Sequence, residues 1–253
     1  MVKKETVLFY AVNKEDNMFL SGIYDNYLRA VKTSLPVFTG FMSERKQAML
    51  TDAFSGAKDI TLEFFGGYEG AERKMAVFHS GDELFWPFTI LLAEAKGKNK
   101  LTHRDYLGAI MSLGIKRDVV GDILIKDKTY VFVKEEMAEY ITANLEKAGK
   151  SPLTLEIADA GPENVENDGE EYFETVASLR LDAVAASGFN LARDKAKKLI
   201  ESGRVTVNGR ETVSVDYKVS EGDTVSARGF GRFKISEVKG LSKKGRIILS
   251  IYK

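Results

Sequence analysis

Residues 188–209 read GFNLARDKAKKLIESGRVTVNG, and this stretch decides the fold of the C-terminal part of the chain. Its apolar residues recur at helical spacing as far as Gly203, and a glycine is typical of a helix end. A short strand, Val205-Thr206-Val207, and an Asn208-Gly209 turn follow at once. An apolar stripe before the stretch predicts another helix, and short strands are predicted after it. Residues 175–253 are therefore predicted to form a compact α+β module of two helices against a small sheet.

Charge is divided unevenly along the chain. The 253 residues include 37 Lys and Arg and 37 Asp and Glu, so the formal net charge is zero. Residues 179–253 hold 16 of the bases and only 8 of the acids, which gives +8 there and −8 in the remainder. An excess of bases in a module of this size is typical of proteins that contact phosphate backbones. The sequence thus predicts an acidic body with a basic, nucleic-acid-binding tail.

The bases of this tail lie on its second helix and at the turns of its sheet. On the helix they face away from the apolar stripe, which a simple solvated surface would also explain. The excess over the whole module favours nucleic acid over that alternative. The bases concerned are Arg193, Lys195, Lys197, Lys198, Arg204, Arg210, Arg228, Arg232, Lys234, Lys243, Lys244 and Arg246.

The same part of the chain resembles the S4 RNA-binding domain. Residues 180–182 read RLD, the stretch quoted above follows after a short spacer, and a Gly222-Asp223 turn comes later, which together match the pattern of that family. The resemblance implies that a helix-turn-helix face and its adjoining turn bind structured RNA, and it adds Arg180 and Asn208 to the candidate RNA-binding residues. One departure is Ala192, where the family has Ser or Thr. A helix cap or a phosphate contact is therefore expected to be missing there.

The fold class predicted for the whole chain is α+β. In an N-terminal α/β unit at residues 1–80, an amphipathic helix ends before a proline and is followed by a second helix and two strands. Residues 81–160 show the order β-α-β-β-α-β, the ferredoxin-like plan that RNA-recognition domains share (RRM-like). Residues 161–174 are acidic and contain glycine and proline, so they are predicted to be a solvated linker to the C-terminal S4 domain at 175–253.

The whole chain resembles the YlmH-type family. The stretches that carry this resemblance are GGYEGAER at 66–73, THRDYLGA at 102–109, LGIKR at 113–117 and GDIL at 121–124. The resemblance implies a cytoplasmic, ribosome-associated RNA-binding protein of the large subunit, linked to the rescue of stalled nascent chains that remain attached to tRNA. The partners it implies are ribosomal RNA of the large subunit, tRNA or peptidyl-tRNA, and quality-control proteins. The family is also associated with a cell-division gene cluster, so a cell-division adaptor with division proteins as partners is an alternative.

An RNA-modifying enzyme with its chemistry in the first 160 residues is a further alternative, and Asp182 is a second place at which catalysis is considered. The RLD motif also resembles the catalytic aspartate motif of pseudouridine synthases, many of which carry an S4 domain. In those enzymes a large catalytic domain follows the S4 domain, whereas only about 70 residues follow Asp182 here and they complete the S4 pattern itself. We therefore expect Asp182 to orient Arg180 or to cap a helix. Tyrosyl-tRNA synthetases also end in S4 domains, but no HIGH-like or KMSKS-like motif occurs upstream.

Two aromatic patterns have the spacing of base-stacking surfaces. Lys128, Tyr130 and Phe132 alternate onto one face of a strand, for which packing beneath the helices or against the N-terminal unit is favoured over base stacking. Residues 228–234, RGFGRFK, begin like an RNP1 motif, but a basic residue takes the place of its stacking aromatic. They are predicted to form a basic loop in which Phe230 or Phe233 packs or stacks.

The composition argues against several classes of site. Cysteine is absent, so a disulfide framework, a thiolate zinc site and a cysteine nucleophile are excluded and a reducing compartment such as the cytoplasm is expected. His79 and His103 are far apart, and we find no glycine-rich nucleotide loop and no nucleophile with an adjacent base. No catalytic residue, metal or cofactor is therefore predicted. The apolar run at 85–93 is about half the roughly 20 residues of a spanning helix, so no membrane insertion is expected.

Overall fold

In a computed structural model, the described residues fall into two compact units, Met1–Val165 and Glu166–Lys253. The structure describes residues 1–81, 83–96, 100–158, 161–162 and 170–253. The parts predicted as separate units at 1–80 and 81–160 lie together in the first of these. Most of the predicted linker, at 163–169, lies outside the described residues.

Within residues 1–81, three helices pack against a three-stranded sheet. The elements are α1 Lys4–Leu8, α2 Lys14–Thr33, β1 Val37–Phe38, α3 Glu44–Ala53, β2 Thr61–Phe65 and β3 Met75–His79. The strand order is β1-β3-β2, and both pairings are antiparallel. α2 begins where the Asn13 side chain accepts a hydrogen bond from the Asp16 N–H at 2.9 Å. It ends at Ser34, which has a positive φ, and Pro36 beyond it prevents continuation.

The described residues from 83 to 158 form a five-stranded sheet with two helices. The elements are β4 Phe88–Ala95, α4 His103–Ser112, β5 Val120–Ile125, β6 Thr129–Lys134, α5 Glu135–Asn144, β7 Lys147–Ala148 and β8 Ser151–Ile157. The strand order is β5-β6-β4-β8-β7, antiparallel throughout. Apart from the short β7 at the edge, this is the ferredoxin-like arrangement, and that prediction is confirmed. A capping box is present at the start of α4, where the Asp105 carboxylate accepts from the Thr102 N–H at 2.8 Å.

Aromatic side chains join the two parts of the first unit. Phe132 on β6 is fully buried, and its ring centroid lies 5.3 Å from that of Tyr68 and 6.4 Å from that of Phe88. The chain at Gly67 comes so close that a Cβ atom there would stand 2.4 Å from the Phe132 ring. Tyr130 is partly buried in the same cluster. This face of the sheet is therefore covered within the unit, as the packing interpretation predicted, and the base-stacking alternative for it is wrong.

Two of the stretches that carry the whole-chain resemblance meet at this junction. Asp122 on β5 accepts hydrogen bonds from the Tyr68 hydroxyl at 2.7 Å and from the N–H groups of Glu72 and Arg73 at 2.7 and 3.1 Å. The Arg73 guanidinium donates to three backbone carbonyl oxygens at 2.9 to 3.0 Å. Burial lowers the pKa of Arg73 to about 10, so it is still charged at neutral pH. These motifs hold the N-terminal part to the sheet.

Within residues 170–253, two helices pack against one face of a six-stranded sheet. The elements are β9 Glu171–Val176, α6 Leu181–Gly188, α7 Arg193–Glu201, β10 Val205–Val207, β11 Arg210–Glu211, β12 Thr224–Ala227, β13 Gly231–Leu241 and β14 Ile247–Tyr252. The strand order is β11-β10-β12-β13-β14-β9, antiparallel throughout. The core consists of the apolar stripes of both helices and the inward residues of the strands. A Cβ atom on Gly188 would stand 2.2 Å from the Phe233 ring, so α6 lies directly against β13.

The predicted linker extends too far. Residues 171–174 belong to β9, which pairs with β14 along its length, from Glu171 opposite Tyr252 to Val176 opposite Ile247. The prediction was wrong at this end because the acidic composition is that of a linker. The strand is formed through pairing with a segment more than seventy residues later, which a local pattern does not reveal. None of the helices in the described part of the chain is both long and apolar enough to span a bilayer.

Candidate nucleic-acid interface

Asp182 joins two of the predicted RNA-binding arginines. It lies in the first turn of α6, and its side chain is 5% exposed. One carboxylate oxygen accepts from Nε of Arg180 at 3.1 Å, and the other accepts from Nε and Nη2 of Arg193 at 3.0 and 2.9 Å. The two arginine side chains are 41% and 55% exposed. The predicted orienting role of Asp182 is confirmed and extends to Arg193.

The Asp182 carboxyl group is held in its ionised form. Burial acts to raise its pKa, but hydrogen bonds from Arg180 and Arg193 outweigh burial and keep the pKa below its usual range. The same contact raises the pKa of Arg180. Charge-assisted hydrogen bonds of this kind fix the planes of the guanidinium groups, each of which carries five N–H donors. Both arginines are thus oriented in advance, with donors remaining for a phosphate.

The lysines of α7 are exposed beside the Asp182 cluster, which consists of Asp182, Arg180 and Arg193. Lys195, Lys197 and Lys198 all face solvent. The ammonium group of Lys195 lies 5.1 Å from the ring centroid of Phe230, which is 37% exposed in the loop before β13. Phe233, by contrast, is 1% exposed in the core. In the RNP1-like stretch only residues 228–230 form a loop, because Gly231 to Lys234 belong to β13 and pair with β12, so the prediction of a loop over the whole stretch is wrong. One of its aromatic residues lies at the surface and the other packs in the core.

The start of α7 lacks a side-chain cap, as the alanine at this position predicts. Ala192 is the N-cap residue and has an extended backbone, but it makes no side-chain capping hydrogen bond. The backbone N–H groups of the first turn therefore have no side-chain acceptor. They add to a positive potential next to Arg193, the first residue of the helix.

Asn208 fastens the turn that follows β10. Its side-chain amide donates to the Asp223 carboxylate at 2.7 Å, and its amide oxygen accepts from the Thr224 N–H at 2.8 Å. Its φ of 51° is one that asparagine tolerates better than most residues. Asp223 also accepts from the Ser220 N–H at 2.7 Å. Both polar atoms of the Asn208 side-chain amide thus have partners within the unit. These partners explain the residue structurally, and an RNA contact by Asn208 stays a prediction.

Three further predicted arginines lie at the β10 side of the sheet. The Arg228 N–H donates to the Arg204 carbonyl oxygen at 3.0 Å, so these two residues are neighbours at one end of β10 and β12. Arg210 lies on β11, opposite Val207. All three arginines are exposed. The structure thus places Arg204 and Arg228 together and Arg210 one strand away.

Arg232 and Lys234 lie on the other face of the sheet. Phe233 and Ile235 on β13 are buried in the core beneath α6 and α7. Because successive side chains of a strand point to opposite faces, the exposed Arg232 and Lys234 face away from the helices. The structure does not bring these two bases to the Asp182 cluster.

The hairpin between β13 and β14 carries three exposed bases, Lys243, Lys244 and Arg246. The Arg246 guanidinium donates to the backbone carbonyl oxygen of Thr175 in β9. Arg246 and Arg193 both line a groove of about 410 Å³ whose walls are β9 and α6. The hairpin thereby contributes one base to the surroundings of the Asp182 cluster.

β9 reduces the positive charge of this unit. Its Glu171 lies 3.8 Å from Lys239, and its Glu174 lies 3.9 Å from Lys253. The folded residues 170–253 hold 16 bases and 11 acids, so their net charge is +5 and not the +8 obtained for the predicted tail. The remaining excess lies on α7, at the turns and on the hairpin.

Two features of this surface were not predicted. The hydrogen bonds from Arg193 to Asp182 join residues on different helices, and periodicity within one helix does not show which residues of two helices meet. Residues 171–174 of the β9 wall were assigned to the linker, although Tyr172, Phe173, Thr175 and Val176 are residue types enriched in strands, which is a weak strand signal.

Two family models match parts of the chain. Residues 87–160 match the model described as "Putative RNA-binding domain in YlmH", and residues 179–225 match that of the S4 domain. The first match coincides with the ferredoxin-like part of the first unit. The second contains α6, α7 and β10, and with them the Asp182 cluster.

Relatives extend the comparison over most of the chain. Ribosome-associated protein quality control protein P2 of Bacillus subtilis (strain 168) is 36% identical over 217 residues, which cover 82% of this chain and 83% of that protein. An uncharacterized RNA pseudouridine synthase of Aquifex aeolicus (strain VF5) is 32% identical over 75 residues, 30% of this chain and 28% of that protein. Among solved structures, the cell division protein ylmH from Streptococcus pneumoniae has a similar fold, with a TM-score of 0.50 at 16% identity, covering 58% of this chain and 93% of that one.

The fold and the basic surface define a protein that carries an S4 RNA-binding domain. The chain belongs to the YlmH family, together with the quality control protein P2 of Bacillus subtilis. The resemblance inferred from the sequence motifs is thereby confirmed.

Proposed function

We propose that this chain is a non-catalytic factor that binds structured ribosomal RNA and tRNA through its S4 unit and acts in the cytoplasm on the large ribosomal subunit, in quality control of stalled nascent chains. The observation that carries the proposal is the pair of exposed arginines, Arg180 and Arg193, that one buried carboxylate orients at the start of a lysine-rich helix. The name of the 36% identical relative supports the ribosome as the place of action.

The physical basis of the binding is phosphate neutralisation. Side chains that engage phosphates release condensed counterions, so the affinity falls with salt at a log-log slope of about −0.9 per phosphate contacted on a duplex. Two small helices present arginines that one buried carboxylate holds in place. A surface of this kind selects RNA by its shape and not by its linear sequence.

The surroundings of Asp182 support a non-catalytic role. A pseudouridine synthase requires an aspartate that can reach its substrate, whereas this carboxylate is 5% exposed and accepts hydrogen bonds from two arginines. The relative named as a synthase matches over only 28% of its own length. A cell-division adaptor is the other alternative. Crosslinking in cells distinguishes it from a ribosome-binding factor.

The test compares charge-matched double variants in binding to large ribosomal subunits purified from Bacillus subtilis. Arg193→Ala with Lys195→Ala removes two bases of the helix face. Lys234→Ala with Lys239→Ala removes two bases of β13. We expect the Arg193→Ala, Lys195→Ala variant to bind at least tenfold more weakly. The slope of its log affinity against log salt concentration should be shallower by about 1.4 to 1.8, as for two lost phosphate contacts. The second pair should change the affinity by less than about threefold.

Several outcomes contradict the proposal. One is an affinity for subunits and tRNA that does not depend on salt, and another is full binding by the Arg193→Ala, Lys195→Ala variant. Modification of nucleosides in the bound RNA by the purified chain would refute the non-catalytic part. Capture of division proteins without ribosomal particles after crosslinking in cells would favour the adaptor alternative.

A further inference from the structure

The groove between β9 and α6 is built in part from residues outside the S4 match. It is an open groove with a volume of about 410 Å³. Its polar lining comes from Glu174 and Thr175 on β9, Ser187 and Asn190 at the end of α6, Arg193 on α7 and Arg246 on the hairpin. Both β9 and the hairpin lie outside residues 179–225.

The two arginines of the groove are both oriented by the protein. Asp182 fixes Arg193 through two hydrogen bonds, and the Thr175 carbonyl oxygen fixes Arg246 through one. Neither acceptor uses all five N–H donors of a guanidinium group. Two oriented guanidinium groups in one groove match the planar, bidentate recognition of phosphate oxygens.

The remaining lining is compatible with an anion. Glu174 is the one acidic residue among the described lining residues, and it accepts from the Ser187 hydroxyl at 2.7 Å and lies 3.9 Å from the Lys253 ammonium. Its charge is thus partly compensated. No aromatic side chain is found among those lining residues, so base stacking is not favoured in the groove.

We propose that a phosphodiester group of the bound RNA enters this groove and is held between the guanidinium groups of Arg193 and Arg246. This inference rests on the proposed RNA-binding function and adds a phosphate site formed by β9 and the β13–β14 hairpin next to the S4 helices. It assigns to β9 a part in RNA binding, because the Thr175 carbonyl oxygen positions Arg246.

The experiment measures binding of the full chain to large ribosomal subunits from Bacillus subtilis at several salt concentrations. Arg246→Ala is compared with Lys239→Ala, which removes the same charge from the adjoining strand outside the groove. We expect Arg246→Ala to weaken binding about tenfold and to make the salt slope shallower by about 0.7 to 0.9, as for one lost phosphate contact. Lys239→Ala should change the affinity by less than about twofold.

A charge-neutral variant tests the groove itself. Ala186 lines the groove, and Ala186→Leu fills part of it without a change of charge. We expect at least a fivefold loss of affinity with an unfolding midpoint close to that of the wild type, and a folded variant that binds with full affinity would overturn the inference. If Arg246→Ala behaves like Lys239→Ala while Arg193→Ala with Lys195→Ala still loses binding, the groove inference is wrong and the proposed function stands. If that double variant also binds fully, the proposed function is wrong.

Discussion

The Asp182 carboxylate holds the Arg193 guanidinium from a different helix, through hydrogen bonds of 3.0 and 2.9 Å to one of its oxygens. Asp182 is in the first turn of α6, and Arg193 is the first residue of α7. The pair therefore fixes the start of one helix relative to the other. It also determines where this arginine, which we propose to bind RNA, lies before RNA arrives, so that ordering its long side chain costs less entropy on binding.

Replacement of Asp182 by asparagine should weaken RNA binding even though it removes a negative charge. The variant retains the shape of the side chain but loses the charge-assisted hydrogen bonds. We expect about 1 to 3 kcal/mol less unfolding free energy and about tenfold weaker binding to ribosomal subunits. Asp194→Asn on the exposed face of α7 is the control, and the loss of its charge should strengthen binding slightly. Parallel shifts in the two variants would contradict the orienting role.

The contribution of Asp182 to stability should disappear in acid. Its pKa in the folded chain lies below the value of about 3.9 for an unfolded aspartate, so the ionised carboxylate stabilises the fold above that pH. The contribution is lost as the pH falls through the lower, folded pKa. Urea unfolding of the wild type and Asp182→Asn from pH 7 to pH 3 should show a constant difference down to about pH 5 and a shrinking one below it. A difference that grows toward low pH would disprove this assignment.

Gly188→Ala should destabilise the C-terminal unit. A Cβ atom at this position would stand 2.2 Å from the ring of the buried Phe233, so α6 would have to move away from the sheet. We expect a loss of about 2 to 3 kcal/mol in unfolding free energy. Gly108→Ala in α4 is a matched helical control with open space around it, and it should add about 0.5 to 1 kcal/mol. Equal effects of the two substitutions in chemical denaturation would refute the close approach.

Arg73→Lys should weaken the first unit without an effect on RNA affinity. Arg73 donates to three backbone carbonyl oxygens, and an ammonium group cannot reproduce the geometry of the guanidinium. We expect the unfolding free energy to fall by about 2 to 4 kcal/mol. Arg104→Lys at an exposed position of α4 is the conservative control and should change little. Binding to ribosomal subunits that is lost in Arg73→Lys at a temperature where it is folded would show that this motif contacts RNA.

The face of the sheet opposite the helices should contribute little to binding. Arg232→Ala with Lys234→Ala removes two bases from that face, the same charge change as Arg193→Ala with Lys195→Ala on the helix side. We expect less than about threefold loss for the first pair and at least tenfold for the second, measured by subunit binding at a fixed salt concentration. Similar losses would mean that overall charge and not the helix face determines the affinity.

The sequence was sufficient for those parts of the fold that depend on local patterns. The apolar stripe of α7, its glycine end and the asparagine-glycine turn predicted two helices and short strands correctly, because each depends on neighbouring residues. The ferredoxin-like order was predicted on the same basis. β9 was missed because its pairing with β14 is non-local and its composition is that of a linker. For the strand face that carries Phe132, the sequence favoured packing over base stacking. It did not settle the choice, since the alternation of side chains along a strand does not show which element covers each face.

For the proposed RNA-binding surface, the sequence shows which residue types are available: a tail rich in arginine and lysine, and an aspartate at the start of its first helix. Only the tertiary structure decided how they are grouped. It brings Arg180 and Arg193 to the same carboxylate, separates Arg232 and Lys234 onto another face, and makes Arg246 line the same groove as Arg193. The physical reason is that charge is a property of composition, whereas the orientation of a guanidinium group depends on an acceptor supplied by another element of the fold.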